Sequence, residues 1–301
     1  MLGFWDREVA QPTHTSWMEP LEVRHYINEQ ISGDRGVWPP EWLKERLNGR
    51  VFERALSLGC GTGKLERDLV ALGICKRIDA FDGSVASLAE ARRRAEGTIR
   101  YFASDFNRPA LPRNVYDAAF FHQSLHHVAK LEKLLRAVLR ALKPSGVLYL
   151  DEFIGPSRHE WNDERLEPYW QIYKTIPPER RWFEIMPMPV QWNDPSEAVR
   201  SSDIVPQLRV GFRIDEFRGY GGNVLSVLFP ALSRVEPPLL QELIALDKAA
   251  IAAGQPHFHA VIVARPASGL RRAMAMARYF VEPKLRLALR AARSALRSSA
   301  R

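Results

Sequence analysis

The sequence predicts an α/β protein built on a doubly wound, mostly parallel β-sheet. The central observation is the stretch 55–66, where an apolar strand runs into three alternating glycines and then into an amphipathic helix. Apolar strands alternate with helix-spaced segments from there to about residue 155. This alternation is typical of parallel sheets that carry helices on both faces.

The glycine turn predicts a pocket for a nucleotide-type ligand. Gly59, Gly61 and Gly63 follow the strand Ala55–Leu58. Because glycine has no Cβ, the backbone can take positive φ and a ligand can lie against the main chain. The turn therefore marks one wall of a binding site.

The spacing of the turn excludes two better-known glycine loops. A phosphate-binding P-loop needs a glycine where Leu58 stands and a hydroxyl residue where Leu65 stands. A dinucleotide fingerprint needs its third glycine at Lys64.

The remaining G-x-G-x-G pattern resembles motif I of the class I S-adenosylmethionine-dependent methyltransferases. That family usually has an acidic residue two positions before the first glycine, and Ser57 stands there in this chain. The departure weakens one expected contact to the methionine part of the cofactor. The resemblance implies S-adenosylmethionine as the cofactor.

Two strand ends supply further expected contacts to this cofactor. Residues 76–82 predict a second strand that ends at Asp82, whose carboxylate would accept hydrogen bonds from both ribose hydroxyls. A third strand, Ile99–Ala103, is followed by Asp105 and Phe106. These two residues resemble the family's acid-plus-apolar pair at the adenine amino group and ring face.

The fourth and fifth strands carry the next signals. The fourth, Val115–Phe121, runs into residues 122–128, which are similar to motif IV of the family followed by its frequent Leu-His-His. Helical spacing over Leu131–Leu142 predicts a helix. The Lys-Pro-x-Gly turn at 143–146, before the strand Val147–Phe153, is typical of the same family.

The end of the chain completes the predicted sheet. We expect a sixth strand at Phe212–Phe217, a helix at Pro237–Ala253 and a last strand at His257–Ala264. The resemblance implies seven strands in the order 3-2-1-4-5-7-6, with only the last strand antiparallel.

Five regions are expected around this sheet. They are an N-terminal helical cap (1–50), the cofactor-binding core (51–155), an aromatic-rich helical lid (156–208), the closing strands and helix (209–266) and a basic tail (267–301). The family resemblance places the cap over the cofactor mouth, although its tryptophans could equally pack on the sheet edge. The lid aromatics suit an organic substrate, and a small core of their own is the alternative.

One further helix is predicted inside the lid. Asp194, Pro195 and Glu197 supply an N-cap acid, a proline at the first helical position and an acid at the third. This pattern predicts a helix that runs through Arg200.

Charge and cysteine content exclude several classes of protein. The net charge is +8, and the tail 267–301 accounts for all of it with nine basic residues and one acid. The formally neutral body argues against a nucleic-acid partner. The two cysteines, Cys60 and Cys75, form no metal or disulfide framework, and no apolar run is long enough to span a membrane. We therefore expect a soluble chain in a reducing cytoplasm.

The basic tail has a second pattern. Leucines and alanines recur at helical spacing within 284–297, and arginines repeat the same spacing one residue later. Adjacent apolar and cationic stripes are typical of a helix that lies on an anionic membrane surface. Docking on the chain's own domain or on a partner subunit is the alternative, and the oligomeric state stays open.

The expected reaction is methyl transfer to a small organic acceptor, with O-methylation favoured and a saccharide, secondary metabolite or lipid-linked molecule as the acceptor class. A hydroxyl acceptor needs a base near the strand ends. The candidates are His122, His126, His127 and Glu152, with His127 first. The expected cofactor-binding residues are Ser57, Gly59, Gly61, Gly63, Asp82, Asp105, Phe106 and His122.

Two other functions remain open from the sequence. An NAD-type oxidoreductase would need a shifted glycine and a catalytic set that the sequence lacks. A catalytically inactive S-adenosylmethionine-binding module is compatible with Ser57. No metal site is predicted, because His257 and His259 on the last strand have no acid or cysteine near them in the sequence.

Overall fold

The computed structural model describes residues 16–95, 97–191 and 193–267, together with Asp6, Gly269 and Met274. Its centre is a seven-stranded sheet of order β3-β2-β1-β4-β5-β7-β6. Strands β1 to β5 pair in parallel, and β7 lies antiparallel to both β5 and β6. The fold class and the strand order predicted from the sequence are confirmed.

The strand bounds agree closely with the expected ones. The strands are β1 Ala55–Leu58, β2 Ile78–Asp82, β3 Ile99–Ala103, β4 Tyr116–His122, β5 Leu142–Phe153, β6 Phe212–Gly219 and β7 His259–Pro266. The α-helices are α1 Leu21–Ser32, α2 Pro39–Arg46, α3 Lys64–Ala71, α4 Val85–Arg93, α5 Leu131–Ala141, α6 Asp163–Thr175, α7 Ile204–Gly211, α8 Leu225–Leu228 and α9 Pro237–Ala252.

The sheet is buried on both faces, which explains why its central strands are apolar throughout. All four residues of β1 are buried. On one face, Leu56 and Leu58 pack in a cluster with α5 and α7, and on the other, Ala55 packs with the cap helices α1 and α2. A parallel sheet covered on both sides has this composition.

Strand β5 begins earlier than the sequence predicts. Residues 143–146 were expected to form a turn before the strand, whereas β5 already pairs with β4 at Leu142. The register then shifts between the pairs Tyr116↔Leu142 and Ala118↔Val147. The Lys-Pro-x-Gly segment is therefore an irregularity inside the β4–β5 pairing, which explains its proline and glycine.

The helix predicted over 194–200 is wrong. This segment forms turns, and the next α-helix begins only at Ile204. The Asp194 side chain does accept a hydrogen bond from the backbone N–H of Ser196, as an N-cap would. However, Ala198 takes a φ of 48°, and the N–H of Val199 is shared between the carbonyls of Ser196 and His126. The positive φ at Ala198 thus interrupts the helix after one turn, beside the loop that follows β4.

The cap is part of the core packing. Trp17 and Trp42 are buried in the main core cluster, whereas Trp38 is exposed. A buried carboxylate joins the cap to α9. Asp247 of α9 accepts a hydrogen bond of 2.8 Å from the Tyr26 hydroxyl of α1. It also accepts hydrogen bonds from the backbone N–H groups of Gly222, Val224 and Leu225.

No α-helix among the described residues combines the length and apolar character needed to cross a bilayer. The segment 284–297, for which we predict membrane attachment, lies outside the described residues, as does most of the tail. The attachment therefore stays a prediction.

We expect Asp247→Ala to lower the free energy of unfolding by about 3–5 kcal/mol, because it leaves three backbone N–H groups and a tyrosine hydroxyl without their buried acceptor. Urea denaturation followed by circular dichroism measures the change. Lys248→Ala is the matched control, because it removes an exposed ion pair to Glu29 between the same two helices and should cost less than about 1 kcal/mol. Similar losses in the two variants would contradict this role of Asp247.

Candidate active site

A cavity of about 960 Å³ opens at the carboxyl ends of β1 to β4 and beside β5. Open α/β sheets bind ligands at this edge, where the strand order reverses beside the first strand. Residues that follow each of the first four strands line the cavity, together with Tyr149 and Asp151 of β5. The cap contributes Arg24 and Trp38, so the exposed tryptophan of the cap borders the cavity.

The glycine turn forms one wall. Gly59 has a φ of 79°, and a Cβ at this position would lie 2.2 Å from the Cβ of Ser124 in the loop after β4. Gly63 similarly leaves no room for a Cβ because the Tyr101 hydroxyl is adjacent. A Cβ on Gly61, in contrast, would meet no atom within 4 Å. The backbone at Gly61 therefore faces open space into which a ligand fits.

Asp82 joins the ends of β1 and β2. Its carboxylate accepts hydrogen bonds of 2.8 Å from the backbone N–H groups of Gly61 and Ser84. Burial raises the pKa of Asp82, although both hydrogen bonds favour the ionised form. The carboxylate lines the cavity and holds the glycine turn in place.

The predicted adenine pair borders the same cavity. Asp105 is exposed, and its Oδ1 accepts a hydrogen bond from the N–H of Asn107. Phe106 is partly buried against the core and also lines the cavity. Six of the residues expected to bind the cofactor line the cavity, namely Gly59, Gly61, Asp82, Asp105, Phe106 and His122. Gly63 is the N-cap residue of α3 and is not among the lining residues.

Ser57 does not line the cavity. It is buried in β1, and its hydroxyl donates a hydrogen bond to Oε1 of Glu66 on α3. Glu66 lines the cavity, and its Oε2 has no hydrogen-bond partner among the described residues. Burial raises the pKa of Glu66 to about 7. A carboxylate is thus present beneath the glycine turn, but it comes from the helix and not from the strand.

His122 is the accessible histidine of the cavity. Its side chain is 46% exposed, and its Nε2 lies 3.7 Å from Oδ2 of Asp151. Asp151 is held from the other side by the Tyr220 hydroxyl, which donates a hydrogen bond of 2.6 Å to Oδ1. Gln123 takes a φ of 47° directly after His122, and its side-chain amide also bonds to Asp151 and Tyr220. The Asp151 carboxylate is therefore fixed beside His122.

Glu152 lies below this loop and not in the cavity. Its side chain is fully buried, and it accepts hydrogen bonds from the N–H groups of Ser124, Leu125 and Phe153. Its Oε1 also contacts Nδ1 of His126. Burial acts against ionisation, but His126 and the backbone donors hold the pKa of Glu152 below its usual range. This geometry makes Glu152 a support for the loop.

His126 and His127 face acids from the predicted lid. Nε2 of each ring lies 3.7 Å from Oε2 of Glu197. Nδ1 of His127 lies 3.2 Å from the Ser196 hydroxyl and 3.5 Å from Oδ2 of Asp194. The turns that replace the expected helix bring these acids to the histidines.

The two histidines have opposite pKa shifts. Burial would lower the pKa of His126, but Glu152 and Glu197 raise it to about 10. Burial and the neighbouring charge of His126 lower the pKa of His127 to about 4. His127 borders the cavity, whereas His126 is buried and is not among the lining residues.

The aromatic residues of the lid lie elsewhere. Trp161 and Tyr173 are buried in the core, Trp182 and Phe183 are exposed, and Trp192 lies outside the described residues. None of these four described aromatics lines the cavity, to which the region contributes Ser196. The position of Glu66 could have been suspected from the sequence, because it follows Gly63 by three residues and so falls in the first turn of α3. The contacts of Asp194 and Glu197 with the histidines had no local signal.

Residues 56–150, from β1 to β5, match the family described as a methyltransferase domain. This match confirms the resemblance to class I S-adenosylmethionine-dependent methyltransferases. S-Adenosylmethionine is accordingly the cofactor of the family.

Three curated relatives show the range of similar proteins. The ubiquinone/menaquinone biosynthesis C-methyltransferase UbiE of Pseudomonas savastanoi is 30% identical over 137 residues, which are 44% of this chain and 54% of the relative. A malonyl-(acyl-carrier protein) O-methyltransferase of Enterobacter lignolyticus is 32% identical over 106 residues, covering 35% and 41%. A trans-aconitate 2-methyltransferase of Variovorax paradoxus is 27% identical over 165 residues, covering 55% and 58%. The chain spans about half the length of the curated relatives it matches.

We expect the contribution of Glu66 to stability to fall between pH 5 and pH 8. Its pKa is raised in the folded protein, so the unfolded chain releases this proton at lower pH than the folded protein does, and this group lowers the free energy of unfolding as pH rises towards 7. Glu66→Gln cannot ionise and should exceed the wild type by about 2–3 kcal/mol at pH 8, with little difference at pH 5.

Thermal denaturation of both proteins across this pH range measures the effect. Asp68→Asn, which changes an exposed carboxylate of the same helix, is the control and should follow the wild type. If the wild type and Glu66→Gln show parallel pH curves, the buried carboxylate does not titrate as described.

Proposed function

We propose that this chain transfers the methyl group of S-adenosylmethionine to a hydroxyl group of a small organic molecule. The observation that carries the proposal is the cavity itself. It brings together the open backbone at Gly61, the carboxylate of Asp82, the Asp105–Phe106 pair and the His122–Asp151 pair.

The cavity residues fit the parts of the cofactor. Asp82 would accept hydrogen bonds from the ribose hydroxyls, since each of its oxygens retains an acceptor site beside its backbone bond. Asp105 and Phe106 would contact the adenine, and Gly61 leaves room for the ligand against the main chain. Glu66 supplies the carboxylate that Ser57 does not, next to the expected position of the methionine part. The cofactor's sulfonium supplies an activated methyl group.

The chain's own task is to hold the acceptor oxygen in line with that methyl group and to accept its proton. Reacting atoms must be held roughly 3–3.5 Å apart for such a displacement. His122 is the residue that we propose as the base, because it is exposed in the cavity and Asp151 can orient its ring. Asp151 would also stabilise the imidazolium that forms.

The structure favours His122 over the other candidates. Glu152 is enclosed and already accepts four contacts, so it cannot reach an acceptor. His127, the first choice from sequence, borders the cavity but directs both ring nitrogens at Ser196, Asp194 and Glu197. We therefore do not assign Glu152 or His127 as the base, and we interpret both as residues that support the site.

The proposed base supports an acceptor that loses a proton. The relatives named above include C- and O-methyltransferases. A carboxylate acceptor is already ionised and needs no base, whereas a hydroxyl acceptor, or a carbon acceptor that loses a proton, does. The His122–Asp151 pair is thus compatible with the hydroxyl that we propose, as found in saccharides, secondary metabolites and lipid-linked molecules.

The test of this function begins with the cofactor. Purified full-length chain is incubated with methyl-labelled S-adenosylmethionine or with NAD, and the retained ligand is measured after gel filtration. Retention of S-adenosylmethionine, followed by transfer of label to a molecule that gains one methylene unit in a metabolite extract, supports the proposal. Retention of NAD would overturn it, and retention of S-adenosylmethionine without transfer to any acceptor would support a binding module.

Asp82→Ala should weaken S-adenosylmethionine binding by about 1.5–3 kcal/mol, because charge-assisted hydrogen bonds to the ribose are lost. Titration calorimetry measures the affinity. Asp117→Ala is the control, because Asp117 lies near the opposite end of β4 and contacts Arg54 and Lys143. Unchanged affinity of a folded Asp82→Ala protein would remove Asp82 from the cofactor site.

His122→Gln should lower turnover of the identified acceptor by about 10²-fold while cofactor affinity changes less than about threefold. Calorimetry and a labelled-methyl assay on the same preparation separate the two effects. His159→Gln, a change at an exposed histidine outside the cavity, should retain full turnover. A loss confined to cofactor affinity would make His122 a cofactor contact and not the base.

A further inference from the structure

We propose that His126, His127 and Glu197 bind one divalent transition-metal ion, with Zn²⁺ as the ion that best fits these donors. One ligand atom from each of the three residues lies within 4.8 Å of the others. The inference does not depend on the proposed methyl transfer. It revises the expectation from sequence, which considered only His257 and His259 as metal ligands and predicted no metal site.

The distances between the ligand atoms suit an ion placed among them. Nε2 of His126 and Nε2 of His127 each lie 3.7 Å from the same oxygen, Oε2 of Glu197. This separation is too long for a normal hydrogen bond. It is close to the roughly 3.4 Å between ligand atoms around a tetrahedral Zn²⁺ with bonds of about 2.1 Å. A small inward movement of the side chains would complete the coordination.

The opposite ring nitrogens have the partners that metal-binding histidines usually have. Nδ1 of His126 contacts the buried carboxylate of Glu152. Nδ1 of His127 lies beside the Ser196 hydroxyl and Oδ2 of Asp194, a buried oxygen without a hydrogen bond among the described residues. Carboxylates that accept the second ring N–H fix the tautomer and direct the free lone pair at the metal. Both Nε2 atoms are directed at Glu197 in this way.

The charges of the cluster favour a divalent cation. Three carboxylates, those of Glu152, Asp194 and Glu197, surround the two imidazoles. Arg158 is the nearby guanidinium, and it donates a hydrogen bond to the carbonyl of Asp194. It can offset one of the three negative charges, and a divalent ion matches the remaining two. Two imidazole nitrogens and one carboxylate favour Zn²⁺ over Mg²⁺ or Ca²⁺, which prefer oxygen ligands.

The site borders the cavity. His127 and Ser196 line the cavity wall, whereas Glu152 and Asp194 lie behind them. Three protein ligands leave a coordination position open, as in catalytic zinc sites. His127 is the proposed ligand that borders the cavity, whereas His126 and Glu197 are not among its lining residues.

The competing arrangement has no metal, with a protonated His126 as the cation between Glu152 and Glu197. To distinguish the two, full-length chain without a histidine tag is treated with a chelator, dialysed and titrated with Co²⁺. We expect saturation at one ion per chain, visible absorption bands of a four- or five-coordinate ion, and loss of these bands when Zn²⁺ is added. Absence of binding, or Co²⁺ bands of a fully hydrated ion, would overturn the proposal in favour of the protonated histidine.

Variants locate the site. Glu197→Gln keeps the side-chain shape and should weaken Zn²⁺ binding at least about 100-fold, and Asp194→Asn, which acts through His127, should weaken it about 10- to 100-fold. His159→Gln is the matched control for an exposed imidazole and should leave binding unchanged. Circular dichroism checks the fold of each variant, and His127→Gln replaces Glu197→Gln if the latter does not fold. If Zn²⁺ binding is unchanged in folded Asp194→Asn and in folded Glu197→Gln, or in His127→Gln in its place, the ion binds elsewhere and the proposal is overturned.

Discussion

The buried carboxylate of Glu152 is the interaction on which the candidate site depends. An ionised group without partners is costly to bury, and Glu152 is held by three backbone N–H groups and by His126. These partners fix the loop after β4 against the end of β5. His122, at the end of β4, lies in the cavity, and the loop that follows brings His126 and His127 to Glu197. Glu152 therefore holds the loop that positions His126 and His127.

Most of the sheet could be predicted from the sequence, because each central strand is an apolar run that ends at a glycine, an acid or a histidine. Predicting the strand order required the resemblance to a known family, because an apolar run alone does not show which strands it pairs with. The helix predicted over 194–200 failed for a physical reason. Its capping residues are suitable for a helix, but Ala198 takes a φ of 48° and the backbone N–H of Val199 is shared with the carbonyl of His126 across the fold.

The site was predictable where it depends on strand ends and unpredictable where it depends on long-range contacts. Asp82 and His122 end their strands and Asp105 lies two residues after β3, so their common edge could be inferred. Ser57 and Glu66 show the limit of that approach. The family's acid is absent from its usual position, and a residue one turn into the following helix places a carboxylate at the same level of the fold. Only the hydrogen bond in the folded structure shows that Ser57 and Glu66 are in contact.

The hydrogen bond between Tyr26 and Asp247 joins residues 221 positions apart in the chain. During synthesis, the helix that carries Tyr26 leaves the ribosome long before its partner exists. Apolar side chains of the cap such as Trp42 can pack on the sheet in the meantime, but the hydrogen bond that ties α1 to α9 forms only after α9 has been made. The cap thus gains its buried polar anchor late in biogenesis, and a chain that stops before residue 247 would hold its cap by apolar packing without that anchor.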